Sequence, residues 1–473
     1  MDPQRKHVFY FSCASRIGFL LISFLSDLVI PDLSSDGFKT AAYDPSTSLQ
    51  GFWRLLSGLL RWDVHHFLHI AQFGYTYENN LAFFPLFPFI VRVFGFLFNE
   101  VFHLTEDKLA ALLLGALIFN NFIFVKASLA LYDLTLYMYH DTNFAYMTSV
   151  FFCVSPATIF FIAPYTESLF SYCAFKGMLD FSRRKTYSSL FWFCLSVCLR
   201  SNGITFAGFM MHTWAYYCMG QFSRANVKHS LNLILQFTLH TLQYVAVVCS
   251  PYILFQIYSY LVFCVDKKKE LSSLIYEHAN EHNLTMPSDH IDWCVKGFTF
   301  PYLYIQEKLW DVGFLKYYKF KQIPNFILAF PVVNLIVYNG TKYLIKNIDM
   351  FIDPSRIYSY RVFMANVKTV TNEFPSTVFL YFGHIMFLTV WGLLHINVQV
   401  LTRLVASSSP VLYWIAAMKF AALPKSEVNS AKWTLLPFER GRELTTSALF
   451  VKWYFLSYAL IGVILFSNNF PWT

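Results

Sequence analysis

Apolar runs long enough to cross a bilayer recur from one end of this chain to the other, and they fix the solvent it folds in. The first is Val8–Ile30 and the last is Ser447–Phe466, with short polar or basic stretches between successive runs. A lipid interior offers no water to backbone N–H and C=O groups, so such runs must close their hydrogen bonds within helices or barrels. The alternation of apolar and polar residues that marks a membrane β-barrel is missing. Only 14% of the 473 residues are charged, against about 25% in soluble domains, and no soluble domain of ordinary size stands out. The sequence therefore reads as an all-α polytopic membrane protein, one multispanning domain over residues 1–473.

Orientation follows from the basic residues. Arg5 and Lys6 precede the first run, which is too long for a cleaved signal and has no small-residue cleavage site. It reads as an uncleaved span with a cytoplasmic N-terminus. The net charge of +8 does not imply nucleic acid, because its clusters (Arg5–Lys6–His7, Arg183–Arg184–Lys185, Arg440 and Arg442) flank apolar spans. Counting spans of about 20 residues gives about eleven. Residues 31–107 then form a first lumenal or external loop, residues 266–322 a large second one, and 346–368 and 425–442 basic cytoplasmic segments. Phe83–Phe98 is apolar but short and broken by Pro85 and Pro88. Parity makes it a re-entrant or interfacial helix, unless 108–139 is a hairpin broken at Asn120-Asn121. Asn283-Leu284-Thr285 falls on the side where a glycosylation acceptor is usable, and Asn339-Gly340-Thr341 does not. The nine cysteines are scattered without a CxxC pair; Cys194 and Cys198 read as packing residues.

One stretch carries most of the chemistry. Arg61–Pro88 places three histidines, an aspartate, a glutamate and several aromatics in the first loop. An acidic, aromatic loop at a membrane surface suits work on a lipid-linked substrate. Asp63 is either a base for an incoming hydroxyl or the N-cap of a helix Val64–Ala71. Trp62 beside it can stack on a sugar. His65 and His69 have metal-ligand spacing, but no HExxH glutamate lies between them, and no metal site is assigned. His65 and His66 are read as interfacial groups that meet phosphate or solvent. Glu78 is a second acid or the ion-pair partner of Arg61 or Arg92. The prolines of Phe83–Pro88 bend a helix or open a groove for a polyprenyl chain. Glu167 ends a span as a helix cap or a site acid. Arg200 and Asn202 sit where an arginine is costly unless it meets an anion or snorkels. Lys316, Tyr317, Gln322 and Asn325 lie before a later span, as an aromatic belt with a lysine anchor or as substrate contacts.

Taken together, WDVHHFLHIAQFGYTYENNLAFFPLFP (62–88), SPATIFFIAPYTESLF (155–170), RSNG (200–203), VGFLKYYKFKQIPNFILAFP (312–331) and VQVLTRLVASSSPVLYW (398–414) resemble the PIG-V family of GT-C-type glycosyltransferases. The matching stretches run in order through the whole chain. The resemblance implies a GT-C-like fold and a multi-pass enzyme of the endoplasmic reticulum membrane with a lumenal active site. It would move mannose from dolichol-phosphate-mannose, with inversion, in α-1,6 linkage onto the first mannose of the GPI precursor lipid. It implies no cofactor and leaves room for a small membrane partner subunit. Asp63 matches the family's essential acid, with Glu78 and Glu167 as reserves. Arg200, Asn202 and Lys316 are assigned to phosphate or sugar groups, and Trp62, His65, His66, Tyr317, Gln322 and Asn325 to the substrate surface. The competing readings are a GT-C mannosyltransferase with another lipid-linked glycan acceptor, a polytopic transporter, and a non-catalytic subunit of a GPI-assembly complex. A transporter would place its acids near mid-membrane, and a scaffold would tolerate loss of Asp63.

Overall fold

The computed structural model describes residues 2–34, 37–44, 51–212, 227–266, 271–295, 300–348, 374–421 and 445–472. Most of the two basic segments expected on the cytoplasmic side, 346–368 and 425–442, lies outside the described residues. Regular structure among the described residues is helical, without a strand.

The polar breaks read from the sequence serve as helix starts. Helix α1 (Pro3–Val29) is capped by Asp2, whose carboxylate accepts from Gln4 N at 3.1 Å. After α2 (Val64–Phe73) and α3 (Leu86–Phe96), α4 (Lys108–Tyr139) is capped by Asp107 and α5 (Thr142–Cys153) by Asp141. Each of these carboxylates takes two backbone N–H groups that would otherwise be orphaned. Helix α6 (Thr158–Ile162) is short, and α7 (Glu167–Ser182), α8 (Thr186–Val197) and α9 (Val227–Tyr260) follow. Three short helices then lie in the second loop: α10 (Ser273–His282), α11 (Asp292–Val295) and α12 (Pro301–Trp310). Among the described residues the last five are α13 (Ile323–Lys346), α14 (Phe379–His395), α15 (Leu401–Ser408), α16 (Val411–Ala421) and α17 (Thr446–Ser467).

Helix α4 is the central post, buried along most of its 32 residues and packed by α1, α3, α5 and α7. It is continuous through Asn120-Asn121, so the hairpin alternative falls away. Helix α3 crosses it at a pair of glycines. A Cβ on Gly115 would lie 2.7 Å from the Phe94 side chain, and one on Gly95 would overlap Leu112. Small residues let helices close without a hydrophobic drive between them in lipid. Together α3 and the π-helical turn Leu97–Val101 are shorter than the ~20 residues a crossing needs.

Five described helices are long and apolar enough to cross alone: α1, α4, α9 with its π-helical extension, α13 with the turn before it, and α17. The pair α15–α16 makes a sixth if counted as one span, but it is bent by 77°. Pro410 stands at that bend, where it cannot donate to the helix ladder. The Phe144–Pro164 run likewise divides, into α5 and α6. Arg16, buried in the bundle, donates to the carbonyl of Cys153 at 2.6 Å and lies over the Phe124 ring. It therefore caps the C-terminus of α5, where a cation also suits the helix dipole.

The two loops expected on one side of the membrane do meet. Tyr77 OH donates to the Ile275 carbonyl at 3.0 Å, and Glu78 N to that of Thr285 at 2.9 Å. A disulfide, Cys264–Cys294, joins the end of the α9 segment to α11. Scattered spacing gave no sign of this bond. At the opposite end of the bundle Arg5 pairs with Asp133 at 2.8 Å, and Ser182 meets Tyr381 at 2.6 Å.

Candidate active site

At the loop-bearing end, four chain segments converge on a row of charges. Arg61 fixes the first of them. Its guanidinium reaches Asp27 and Asp32 at 2.8 Å and the Ser467 carbonyl at 3.0 Å, tying the loop to the ends of α1 and α17. The next residue, Trp62, has φ +51, a left-handed conformation that strains a bulky side chain by roughly 1 kcal/mol or more. That turn delivers Asp63 to the start of α2. Asp63 occupies the N-cap position, yet its side chain makes no cap hydrogen bond. It points instead to Arg403, whose Nη1 donates to Oδ2 at 3.0 Å, while the Asp63 N–H donates to Tyr165 OH at 3.3 Å.

Arg403 reaches onward to Glu167, with Nε 4.0 Å from Oε1. Arg200 donates to the same oxygen at 2.6 Å. The order is Asp63, Arg403, Glu167, Arg200: two carboxylates alternating with two guanidiniums. Glu167 is 1% exposed and its other oxygen meets Thr166, so it is fully engaged. The Asp63 side chain is 31% exposed, and Oδ1 takes no hydrogen bond from a described residue. Each arginine also keeps guanidinium N–H groups beyond those used in these pairs.

The backbone explains why these residues meet. Asn120 of α4 donates to the carbonyls of Ala163 (2.5 Å) and Tyr165 (2.9 Å), holding the turn that starts α7 at Glu167. Arg200 leaves α8 in an extended conformation, and the 3-10 turn Ser201–Phe206 folds back on the helix it has just left. Gly203 makes that return feasible: a Cβ there would lie 2.7 Å from backbone atoms of Ser196 and Val197. Asn202 donates to Ser408 Oγ at 3.0 Å, tying this turn to α15, the helix that carries Arg403. We expect Gly203→Ala to displace Arg200 from Glu167 and to lower activity at least tenfold with the chain still inserted. Wild-type turnover by a normally expressed Gly203→Ala protein would remove this account of the turn.

Other residues singled out in the sequence stand elsewhere. Glu78 is not the partner of Arg61 or Arg92. It accepts from the Trp293 indole at 2.8 Å and lies 4.0 Å from Lys308, in the seam between the two loops. Arg92 instead donates to the Ala71 and Gln72 carbonyls and caps α2. His66 is stacked between Phe38 and Phe83 at 4.1 and 4.4 Å, with Nδ1 on Asn80 at 2.9 Å. His65 is buried, not interfacial, and lines a small recess with Lys39, Tyr43, Arg61 and Trp62, alongside the Asp63 turn. Phe84 and Phe87 are buried, so the proline-rich stretch packs rather than gapes. Lys316 pairs at the surface with Glu307 at 2.7 Å. Asn325 donates to Tyr317 OH (2.8 Å) and Gln322 (2.7 Å), and Tyr317 meets Gln399 at 3.4 Å, just ahead of α15. Asn283 is exposed just past the end of α10 in a left-handed conformation, whereas Asn339 bonds its own helix inside α13.

Arg403 stands outside the site residues that the sequence singles out, although its stretch, 398–414, carries part of the family resemblance. The usable signal was an arginine in an apolar run, which demands an anion.

Burial lowers His65 to about 3, His66 to about 4, and His69 well below the ordinary histidine value. In the unfolded chain these histidines take protons below about pH 6.5, while in the folded one they stay neutral much further down. The stability they contribute is present above about pH 6.5 and is lost as pH falls toward the folded values, by up to ~1.4 kcal/mol per pH unit for each. Thermal midpoints of the purified protein should fall steadily between pH 7 and pH 5. A flat profile across that range would contradict the neutral, buried assignment.

The chain matches the family model for mannosyltransferase (PIG-V) over residues 5–473. It is 32% identical to GPI alpha-1,6-mannosyltransferase 2 of Cricetulus griseus, over 100% of this chain and 99% of that one. It is 31% identical to the protein of the same name from Homo sapiens, with the same coverage. To GPI mannosyltransferase 2 of Drosophila pseudoobscura pseudoobscura it is 33% identical, over 97% of this chain and 98% of that one. A family match over almost the whole length, on a helical bundle that gathers acids and arginines at one end, means that this chain belongs to the PIG-V mannosyltransferase family.

Proposed function

We propose that this mannosyltransferase adds the second mannose of the GPI anchor, moving it from dolichol-phosphate-mannose to the first mannose of the GPI precursor in α-1,6 linkage. The observation that carries the proposal is the Asp63–Arg403–Glu167–Arg200 row at the end of the bundle where the two large loops meet. In the proposed step the acceptor hydroxyl oxygen attacks the anomeric carbon. Its proton passes to the open oxygen of Asp63. The bond between the anomeric carbon and the phosphate oxygen breaks, and dolichyl phosphate leaves with the electron pair and one more negative charge. A β-linked donor then yields an α product by a single inversion. The leaving phosphate is a stable anion, so a base for the acceptor suffices and no protein acid is required.

The spare N–H groups of Arg200 and Arg403 suit a phosphate that gains charge as it departs. Trp62, half-buried beside Asp63, offers ring surface to a sugar. Glu167 is too enclosed, and Glu78 too remote in the loop seam, to share the base role. The transport reading is disfavoured because these ions lie at helix ends, paired with one another, rather than along a path through the bundle. The Cys264–Cys294 disulfide supports a lumenal position for the second loop, since disulfides persist in oxidising compartments. An endoplasmic reticulum location with a lumenal site follows as part of the same proposal.

The test is complementation of cells lacking the second GPI mannosyltransferase, read as surface GPI-anchored protein and as the precursor that accumulates. Rescue by the wild-type chain, with loss of the one-mannose precursor, is expected. Correctly located protein that leaves the one-mannose precursor in place would refute the acceptor assignment.

A further inference from the structure

We infer that the second loop holds a divalent transition-metal site, of the zinc class, on helix α10, formed by His278, Glu281 and His282. The three lie at i, i+3 and i+4, which brings them to one face of the helix. Their ligand atoms are all within 4.8 Å of one another. A tetrahedral zinc with bonds of about 2.1 Å needs ligand atoms about 3.4 Å apart. Small side-chain rotations of the exposed Glu281 and His282 close that gap.

The innermost ligand is already oriented. The Nε2–H of His278 donates to the Lys39 carbonyl at 3.0 Å, which leaves Nδ1 as the free lone pair. Metal-bound histidines usually hold the other ring nitrogen on a carbonyl or carboxylate in this way. The ring is flanked by Phe38, Tyr77 and His282.

Two nitrogens and one carboxylate suit zinc or a neighbouring first-row ion, and not calcium, which takes six or more oxygens. Three protein ligands leave a fourth position for water. The site stands apart from the Asp63 row, so its role is mechanical. It clamps α10 through Lys39 onto the strand of chain that packs on α2. Thr40, next to Lys39, meets His69 of that helix at 3.2 Å. A bound ion would therefore stiffen the layer beneath the loop that carries Asp63.

The experiment uses the purified full chain in detergent with its affinity tag removed. The protein is equilibrated with zinc chloride alone, desalted, and assayed for retained metal and for its thermal midpoint. Wild type should retain about one zinc per chain and melt several degrees higher with it. Glu281→Gln and His282→Asn alter exposed side chains and should retain less than about a tenth as much, without the thermal shift. His278→Ala removes a fold contact as well, so the two exposed variants carry the test. Wild type that retains no zinc at micromolar concentration overturns the site. So does equal retention by both exposed variants, which would move the metal to the free cysteines.

Discussion

Asp63→Asn should cut mannosyl transfer by roughly 10²- to 10⁴-fold, the range by which a positioned base contributes. Asparagine is isosteric, and its carbonyl can still accept from Arg403, so the 3.0 Å contact and the turn at Trp62 should survive. Expression and thermal midpoint are expected to stay close to wild type. The loss should fall on kcat rather than KM, because the missing proton transfer belongs to the transition state. Glu78→Ala provides the contrast. The Glu78 carboxylate holds the seam between the loops by accepting from the Trp293 indole, so its loss should lower stability first and activity only as the protein fails. Membranes containing Asp63→Asn at wild-type level, assayed with saturating donor, decide the matter. Near-normal turnover there would take the base away from Asp63.

How far the sequence could lead is best seen at these same residues. The helical class, the loop bearing Asp63 and the ends of the bundle where Glu167 and Arg200 sit all follow from apolar runs and basic flanks. Parity placed those ends together, but it could not choose partners. Asp63 lies at a helix start, and propensity favours a cap there; only the tertiary approach of Arg403, 340 residues later, draws the carboxylate away. The same limit hid the roles of Glu78 and Arg92, which bind an indole from the second loop and a helix end rather than each other. Span boundaries were less legible. A run such as Phe144–Pro164 is apolar throughout, yet it breaks between α5 and α6, where Ser155 bonds Tyr413 and Arg16 takes the Cys153 carbonyl. Hydropathy carries no record of such long-range capping. The disulfide was equally silent, since thirty residues of separation say nothing about proximity.

Arg403→Met should be the most damaging single change in the row. It removes the cation between Asp63 and Glu167 and leaves a half-exposed and a buried carboxylate facing each other. Breaking a fully buried ion pair from one side typically costs about 3–5 kcal/mol, and this pair should cost less, because water reaches the 31% exposed Asp63 carboxylate. Glu167 still has Arg200 at 2.6 Å, so most of that cost should come from Asp63 and from the lost stacking of the guanidinium over Phe160 and Tyr165. A second substitution separates stability from chemistry. Arg403→Met combined with Asp63→Asn removes the orphaned charge and should recover a large part of the lost thermal stability, while transfer stays as low as in Asp63→Asn alone. Arg403→Lys should fall between, since one ammonium cannot span both carboxylates as a planar guanidinium does. The measurement is a double-mutant cycle on melting midpoint and kcat, in detergent, for the four proteins. If the two substitutions add in stability, Arg403 and Asp63 are not coupled, and the row is a coincidence of packing. Coupling in stability together with non-additive loss of kcat is what a single working unit requires.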